Sequence, residues 1–337
     1  MIKTPGFWYR SGGAESIQEK LLSPFSKLYG MVAGAHRNSK TPRSTGVPVV
    51  CIGNLNAGGS GKTPMALVLM QMIKDQNLAK SPFFLSRGYG GKIMGPTLFA
   101  PKRHDFKDVG DEVMLLGHFA PTIVSRDRFV GAKLGAERGA GLVIMDDGLQ
   151  NYDLQQDLKI VVVDGAMGFG NGKVIPAGPL REDLESGLAK ADLFVVMGED
   201  QRGLDSILSG TGKPVLKAQL RSQVSNIDPD QTFFAFAGLG WPEKFFGALR
   251  KAEVTVVGSQ GFADHHPYTP EDMNKLVRKA EGLGAKLITT RKDFVRIPGH
   301  YKTNDKIAVA GVQVIWDDPS LASSVLHDAI ARIRKIE

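Results

Sequence analysis

The stretch VPVVCIGNLNAGGSGKTPMALVLMQMIKDQ (residues 47–76) runs from an apolar segment through a glycine-rich turn into a helical pattern. Strand, turn and helix in that order form a phosphate cradle, because the turn's backbone N–H groups and the positive end of the helix converge on anionic oxygens. The spacing departs from GxxxxGK[ST] at one position, where Asn56 stands for the first glycine. A side chain is tolerated where the loop begins, whereas Gly58, Gly59 and Gly61 lie where the chain must bend or meet a ligand closely. Asn56, Ala57, Gly58, Gly59, Ser60, Gly61, Lys62 and Thr63 are therefore expected to bind a nucleotide, Lys62 reaching the β- and γ-phosphates and Thr63 ligating Mg2+. The competing interpretation is a structural turn with a coincidental lysine.

Outward from this unit, apolar runs recur at 82–86, 121–125, 142–146, 160–164, 193–197 and 214–218, separated by helix-length stretches. Such alternation specifies an α/β fold with a doubly wound, mostly parallel sheet of P-loop NTPase type. A second series begins near residue 231 with QTFFAFAG and continues through WPEKFFGALRKA, EVTVVGSQ, TPEDMNKLVRKAEGLG, AKLITT and KIAVAGVQVIW, which predicts a second, smaller α/β domain. The polar segment 221–231 separates the two. The expected division is an N-terminal amphipathic helical segment 1–40, a nucleotide-binding domain 41–225 and a C-terminal domain 226–337, which suits a chain of 337 residues.

In the N-terminal segment, TPGFWYR sets Phe7, Trp8 and Tyr9 together. Ile17, Leu21 and Leu22 follow at helical spacing. Ser23 then has the character of an N-cap, with Pro24 opening a second helix that carries Phe25, Leu28, Tyr29 and Val32 on one face. That face either packs on its own domain or lies in a membrane interface, with His36, Arg37 and Lys40 meeting anionic lipid. No stretch approaches the roughly 20 apolar residues that span a bilayer, and no signal-peptide core opens the chain. Lys plus Arg number 42 against 35 Asp plus Glu, a net charge of +7 that suits an anionic partner. The aromatic residues do not interleave with the basic ones as on a nucleic-acid surface. The single cysteine, Cys51, excludes an intrachain disulfide and points to a reducing, cytoplasmic setting.

Several other groups can carry chemistry. Asp146 and Asp147 end the apolar run GLVIMDDG, so they emerge at the carboxyl edge of the sheet, where one of them can serve a P-loop metal. Asp111 and Glu112 in VGDEVMLL open a helix, either as complements of its dipole or as a base and a metal ligand. GFADHHPYTPED (261–272) gathers Asp264, His265, His266 and Tyr268 before a helix capped by Thr269; its two histidines are too few for a zinc site and suit proton handling. Arg87, Arg126, Arg128 and Arg181 follow strand or loop ends, either as surface charges or as a pocket for substrate phosphates.

The motifs GNLNAGGSGKTP, LSRGYGG, GDE, DDGLQ, IPAGPLRE, FAGLGWPEKFF, FADHHPYT and LITTRKD, in this order from residue 7 to residue 298, closely resemble the tetraacyldisaccharide 4'-kinases, membrane-associated lipid A kinases of Gram-negative bacteria. The resemblance implies transfer of the γ-phosphoryl group of ATP, with Mg2+, to the 4'-hydroxyl of an acylated, glucosamine-based disaccharide 1-phosphate at the cytoplasmic face of the inner membrane. It implies Asp111 as catalytic carboxylate assisted by His265, Asp146 and Asp147 as Walker B acids, and Glu112 and Arg181 at the active site. His266 is grouped with the substrate-binding residues. An anionic membrane surface is the expected partner, met by Trp8, Phe25, Leu28 and Tyr29, with no nucleic acid and no obligate protein partner. Leu149 stands where many members carry phenylalanine and Arg291 where many carry glutamate.

Two rivals stay open on residues alone. A P-loop kinase or ATP-dependent synthetase acting on a soluble metabolite would be indifferent to lipid. A nucleotide switch would leave Asp111 and the DHH loop without a role, and TTRKD lacks the asparagine of a guanine-reading NKxD.

Overall fold

The computed structural model describes residues 5–10, 15–224, 230–302 and 307–334. Twelve strands form one sheet among them: β1 (Val49–Gly53), β2 (Pro82–Ser86), β3 (Thr97–Leu98), β4 (Thr122–Val124), β5 (Leu142–Asp146), β6 (Leu158–Asp164), β7 (Leu193–Met197), β8 (Val215–Val224), β9 (Phe233–Ala237), β10 (Val256–Gly261), β11 (Lys286–Thr290) and β12 (Ile307–Trp316). The helices are α1 (Ile17–Asn38), α2 (Lys62–Asp75), α3 (Phe106–Val109), α4 (Asp111–Gly117), α5 (Arg128–Glu137), α6 (Leu184–Lys190), α7 (Leu204–Ser209), α8 (Pro242–Lys251), α9 (Pro270–Gly282), α10 (Arg291–Arg296) and α11 (Pro319–Arg334).

Every apolar run of the sequence became a strand. The sheet order is β10-β9-β11-β12-β8-β7-β6-β1-β5-β2-β4-β3, parallel except for the β8–β12 and β3–β4 pairs. Central strands such as β1, β5 and β7 are buried on both faces, which is why they read as unbroken apolar runs. Met65, Leu69 and Ile73 of α2 pack on one face of the larger half, and Cys51, Leu85, Val161 and Phe194 lie in the core on the other.

The boundary region behaves differently from a polar linker. β8 runs on as a strand through residue 224, pairing parallel with β7 at its start and antiparallel with β12 from Ala218 to Val224. β12 leads the chain back, and α11 returns to the larger half, where Leu326 and Ile330 join the core beneath α2. Residues 319–334 thus share the core of the half expected to end at residue 225.

The two helices expected before residue 40 are one. Ser16 caps α1 through Glu19 N–H, and the helix continues past Ser23 with Pro24 inside it. A proline costs one backbone bond and a ring clash there. α1 is also inverted: its buried residues are Glu19 and Ser26, while Ile17, Leu21, Phe25, Leu28, Met31 and Val32 are exposed. Ser26 Oγ donates to Val174 O at 2.7 Å and accepts from Ala177 N at 2.8 Å, and Lys173 pairs with Glu15 and Glu19, so polar contacts hold the helix on the protein. No helix among the described residues is long and apolar enough to cross a membrane.

Candidate active site

The glycine-rich loop leaves β1 and enters α2 at Gly61, whose φ of 91° is a left-handed conformation that favours glycine. A Cβ there would also meet Met197 at 3.3 Å and Leu220 at 3.4 Å. Asn56 is an anchor: its Nδ2 donates to Gly168 O at 2.8 Å, and the next residue, Ala57, donates its N–H to Pro179 O at 2.7 Å. Lys62 Nζ donates to Gly58 O at 3.2 Å and lies 3.7 Å from Asp147, folded across the loop. Burial lowers the pKa of Lys62.

The two aspartates after β5 have opposite environments. Asp146 is 4% exposed, accepts the Thr63 hydroxyl at 3.1 Å through Oδ2, and leaves Oδ1 buried without a partner. Burial, reinforced by Asp147, pushes its carboxyl up to about 6. Burial acts in the same direction on Asp147, but Lys62 and Arg181 outweigh it and hold the pKa below its ordinary value. Arg181 grips Asp147 through two nitrogens at 2.9 and 3.3 Å and reaches Gln150 Oε1 at 3.2 Å. Asp147 has a φ of 53° and His265 of 57°, a conformation costly for residues with a Cβ, which concentrates at functional sites.

Asp111 opens α4 and is buried. Its Oδ2 meets His265 Nδ1 at 2.8 Å, the first cause of a raised pKa for His265, and lies 2.8 Å from Arg296 Nε. The DHH loop follows β10, so this contact joins the smaller half of the sheet to the larger. Glu112, expected as a metal ligand, pairs through Oε1 with Lys292 Nζ at 2.8 Å and leaves Oε2 buried without a partner; burial raises its carboxyl, but Lys292 prevails and holds it below the ordinary range. Lys292 also lies within electrostatic reach of Asp146 and Asp111, which places both carboxylate pairs about one site.

Three further expected residues contact the protein itself, and one is exposed. His266 donates from Nε2 to Asp272 Oδ2 at 3.0 Å, the carboxylate that completes the Thr269 capping box of α9, and stacks on Phe262. Trp8, an expected membrane contact, gives its indole N–H to Pro176 O at 3.0 Å and is half-buried on the protein. Arg126 is exposed, and its side chain makes no ion pair among the described residues. Arg128 is buried, donates to Ser125 O at 2.6 Å, and is lowered to about 10 by burial and by the nearby, exposed Arg87. Sequence reasoning missed Gln150, Lys292 and Arg296. The first two lie in the quoted motifs DDGLQ and LITTRKD; nothing in the pattern signals that Arg296, at the end of a six-residue helix, is buried.

A family model described as tetraacyldisaccharide-1-P 4'-kinase matches residues 18–330. A tetraacyldisaccharide 4'-kinase of Paramagnetospirillum magneticum is 42% identical, with 95% of this chain and 96% of the relative covered. One from a Bradyrhizobium strain is 40% identical, covering 99% and 97%. The crystal structure of LpxK from Aquifex aeolicus in complex with ATP superposes with a TM-score of 0.74 at 24% identity, over 93% of this chain and 100% of that one.

Proposed function

The chain belongs to the tetraacyldisaccharide 4'-kinase family, and from that premise we propose which of its residues carry the reaction. The reaction itself is transfer of the γ-phosphoryl group of ATP to the 4'-hydroxyl of a tetraacyldisaccharide 1-phosphate, a step of lipid A biosynthesis. The loop amides and Lys62 hold the β- and γ-phosphates. Thr63 and Asp146 are hard oxygen donors in contact, and the unpartnered Oδ1 of Asp146 fits a small divalent cation, so these two would hold Mg2+. Bound there, the ion neutralises charge on the transferring phosphoryl group. Arg181 steadies Asp147, which in turn pairs with Lys62. Arg128 is a buried cation with no carboxylate in ion-pair distance among the described residues; with Arg87 it is assigned to a substrate phosphate.

The observation that carries the catalytic assignment is the 2.8 Å contact of Asp111 with His265. Asp111 accepts or orients the proton of the 4'-hydroxyl and His265 supports it, while positioning and charge neutralisation supply most of the rate. The exposed apolar stripe of α1 rests in the anionic cytoplasmic face of the inner membrane, where the acylated acceptor resides. The test incubates the protein with ATP, Mg2+ and a tetraacyldisaccharide 1-phosphate in detergent. A bisphosphorylated product is expected, with Asp111→Ala and His265→Ala each lowering kcat at least about 100-fold and the double variant little further. Fully additive losses would break the pair apart, and phosphorylation of soluble sugars alone would reject the lipid acceptor.

A further inference from the structure

We propose that Arg296 is a positioning residue for the Asp111–His265 pair, setting the angle of the Asp111 carboxylate from across the two halves of the sheet. The proposal rests on that pair handling the acceptor proton. Arg296 is 2% exposed, and a guanidinium so buried is costly unless its charge is directed at a carboxylate. Asp293, its neighbour one turn back, shares that charge at 3.4 Å but also accepts from Gly238 N at 2.7 Å, Tyr268 OH at 2.8 Å and Thr290 Oγ1 at 2.6 Å.

The nearer carboxylate is that of Asp111. Arg296 Nη1 donates to Gly238 O at 3.2 Å and lies 3.4 Å from Asp293 Oδ1, which fixes one edge of the fork to the smaller half. Its Nε lies 2.8 Å from Asp111 Oδ2, the oxygen that His265 Nδ1 also meets at 2.8 Å. His265 is hydrogen-bonded to that oxygen, while Arg296 Nε sits at ion-pair distance without a hydrogen bond, so the guanidinium charge draws the carboxylate toward the side His265 already holds. Asp111 Oδ1, which has no donor among the described residues, is then held out as the oxygen for the acceptor hydroxyl. A lysine ammonium at this position keeps the charge but cannot span Gly238 O and Asp111 at once, because it lacks the planar fork.

The experiment is a double-mutant cycle between Arg296→Lys and Asp111→Asn, read as kcat and as KM for ATP. Arg296→Lys is expected to lower kcat about 30-fold, the scale of a small misplacement of a reacting group, with KM for ATP within about twofold. In the Asp111→Asn background the same change should cost less than about threefold. Unchanged kcat in Arg296→Lys, or an equal loss in both backgrounds, would overturn the positioning role. Wild-type activity in Asp111→Asn would instead overturn the assignment of the pair. Should the lysine variant fail to fold, Arg296→Gln carries the same cycle with the same two outcomes.

Discussion

Asp146 is held against its own folding free energy. Its folded pKa, about 6, lies above the ordinary 3.8, so folding takes up a proton between those values and stability falls as pH rises through the window. The penalty is complete above pH 6 and amounts to about 3 kcal/mol for a shift of this size in a group sealed from solvent. Asp146→Asn should therefore stabilise the protein by up to about 3 kcal/mol at pH 7.5 without nucleotide or metal, lose that gain below pH 4, and abolish phosphoryl transfer. Denaturant unfolding across pH checks it, and a destabilised variant at pH 7.5 would contradict it. The pair was legible because two aspartates end an apolar strand. Their opposite environments were not, since Arg181 reaches Asp147 from 34 positions away.

At the scale of elements, the sequence spoke clearly where burial is two-sided or a cap is local. β1 and its loop, the strand runs and the Thr269 cap of α9 all follow from spacing of a few residues. α1 was misjudged because Pro24 looked like a start signal, and the helix was anchored from outside by Val174 and Ala177. Its inverted faces make a direct test possible. Phe25 and Leu28 are 60% and 57% exposed, so charges there cost the fold little but forfeit burial in lipid of about 2 kcal/mol per side chain. Phe25→Asp with Leu28→Asp is expected to weaken binding to anionic vesicles about 100-fold or more with thermal unfolding unchanged. Co-sedimentation as strong as wild type would show that the stripe is not the lipid contact. Ser26→Ala, by contrast, leaves the stripe intact and removes two anchoring hydrogen bonds.

For the whole molecule, the two alternating series were evident, but their join was not, because a chain can leave a domain and return without changing its local pattern. β8 carries it out, β12 carries it back antiparallel, and the two strands pair with each other within the one sheet. The return sets the final helix in the nucleotide half. Ala322, Leu326, Ala329 and Ile330 of α11 are at most 2% exposed and pack in the same core as Met65 and Leu69 of the helix that follows the phosphate loop. Ending the chain after residue 318 should therefore damage ATP binding, although every residue removed lies far along the sequence from the loop. The milder Leu326→Ala is expected to cost about 3 kcal/mol of stability by opening a cavity under α2. Hydrogen exchange locates the effect: protection should fall in α2 and β1 and persist in β9 and β11, whose cores lie in separate clusters. Loss confined to β9–β11 would show that α11 serves the smaller half instead.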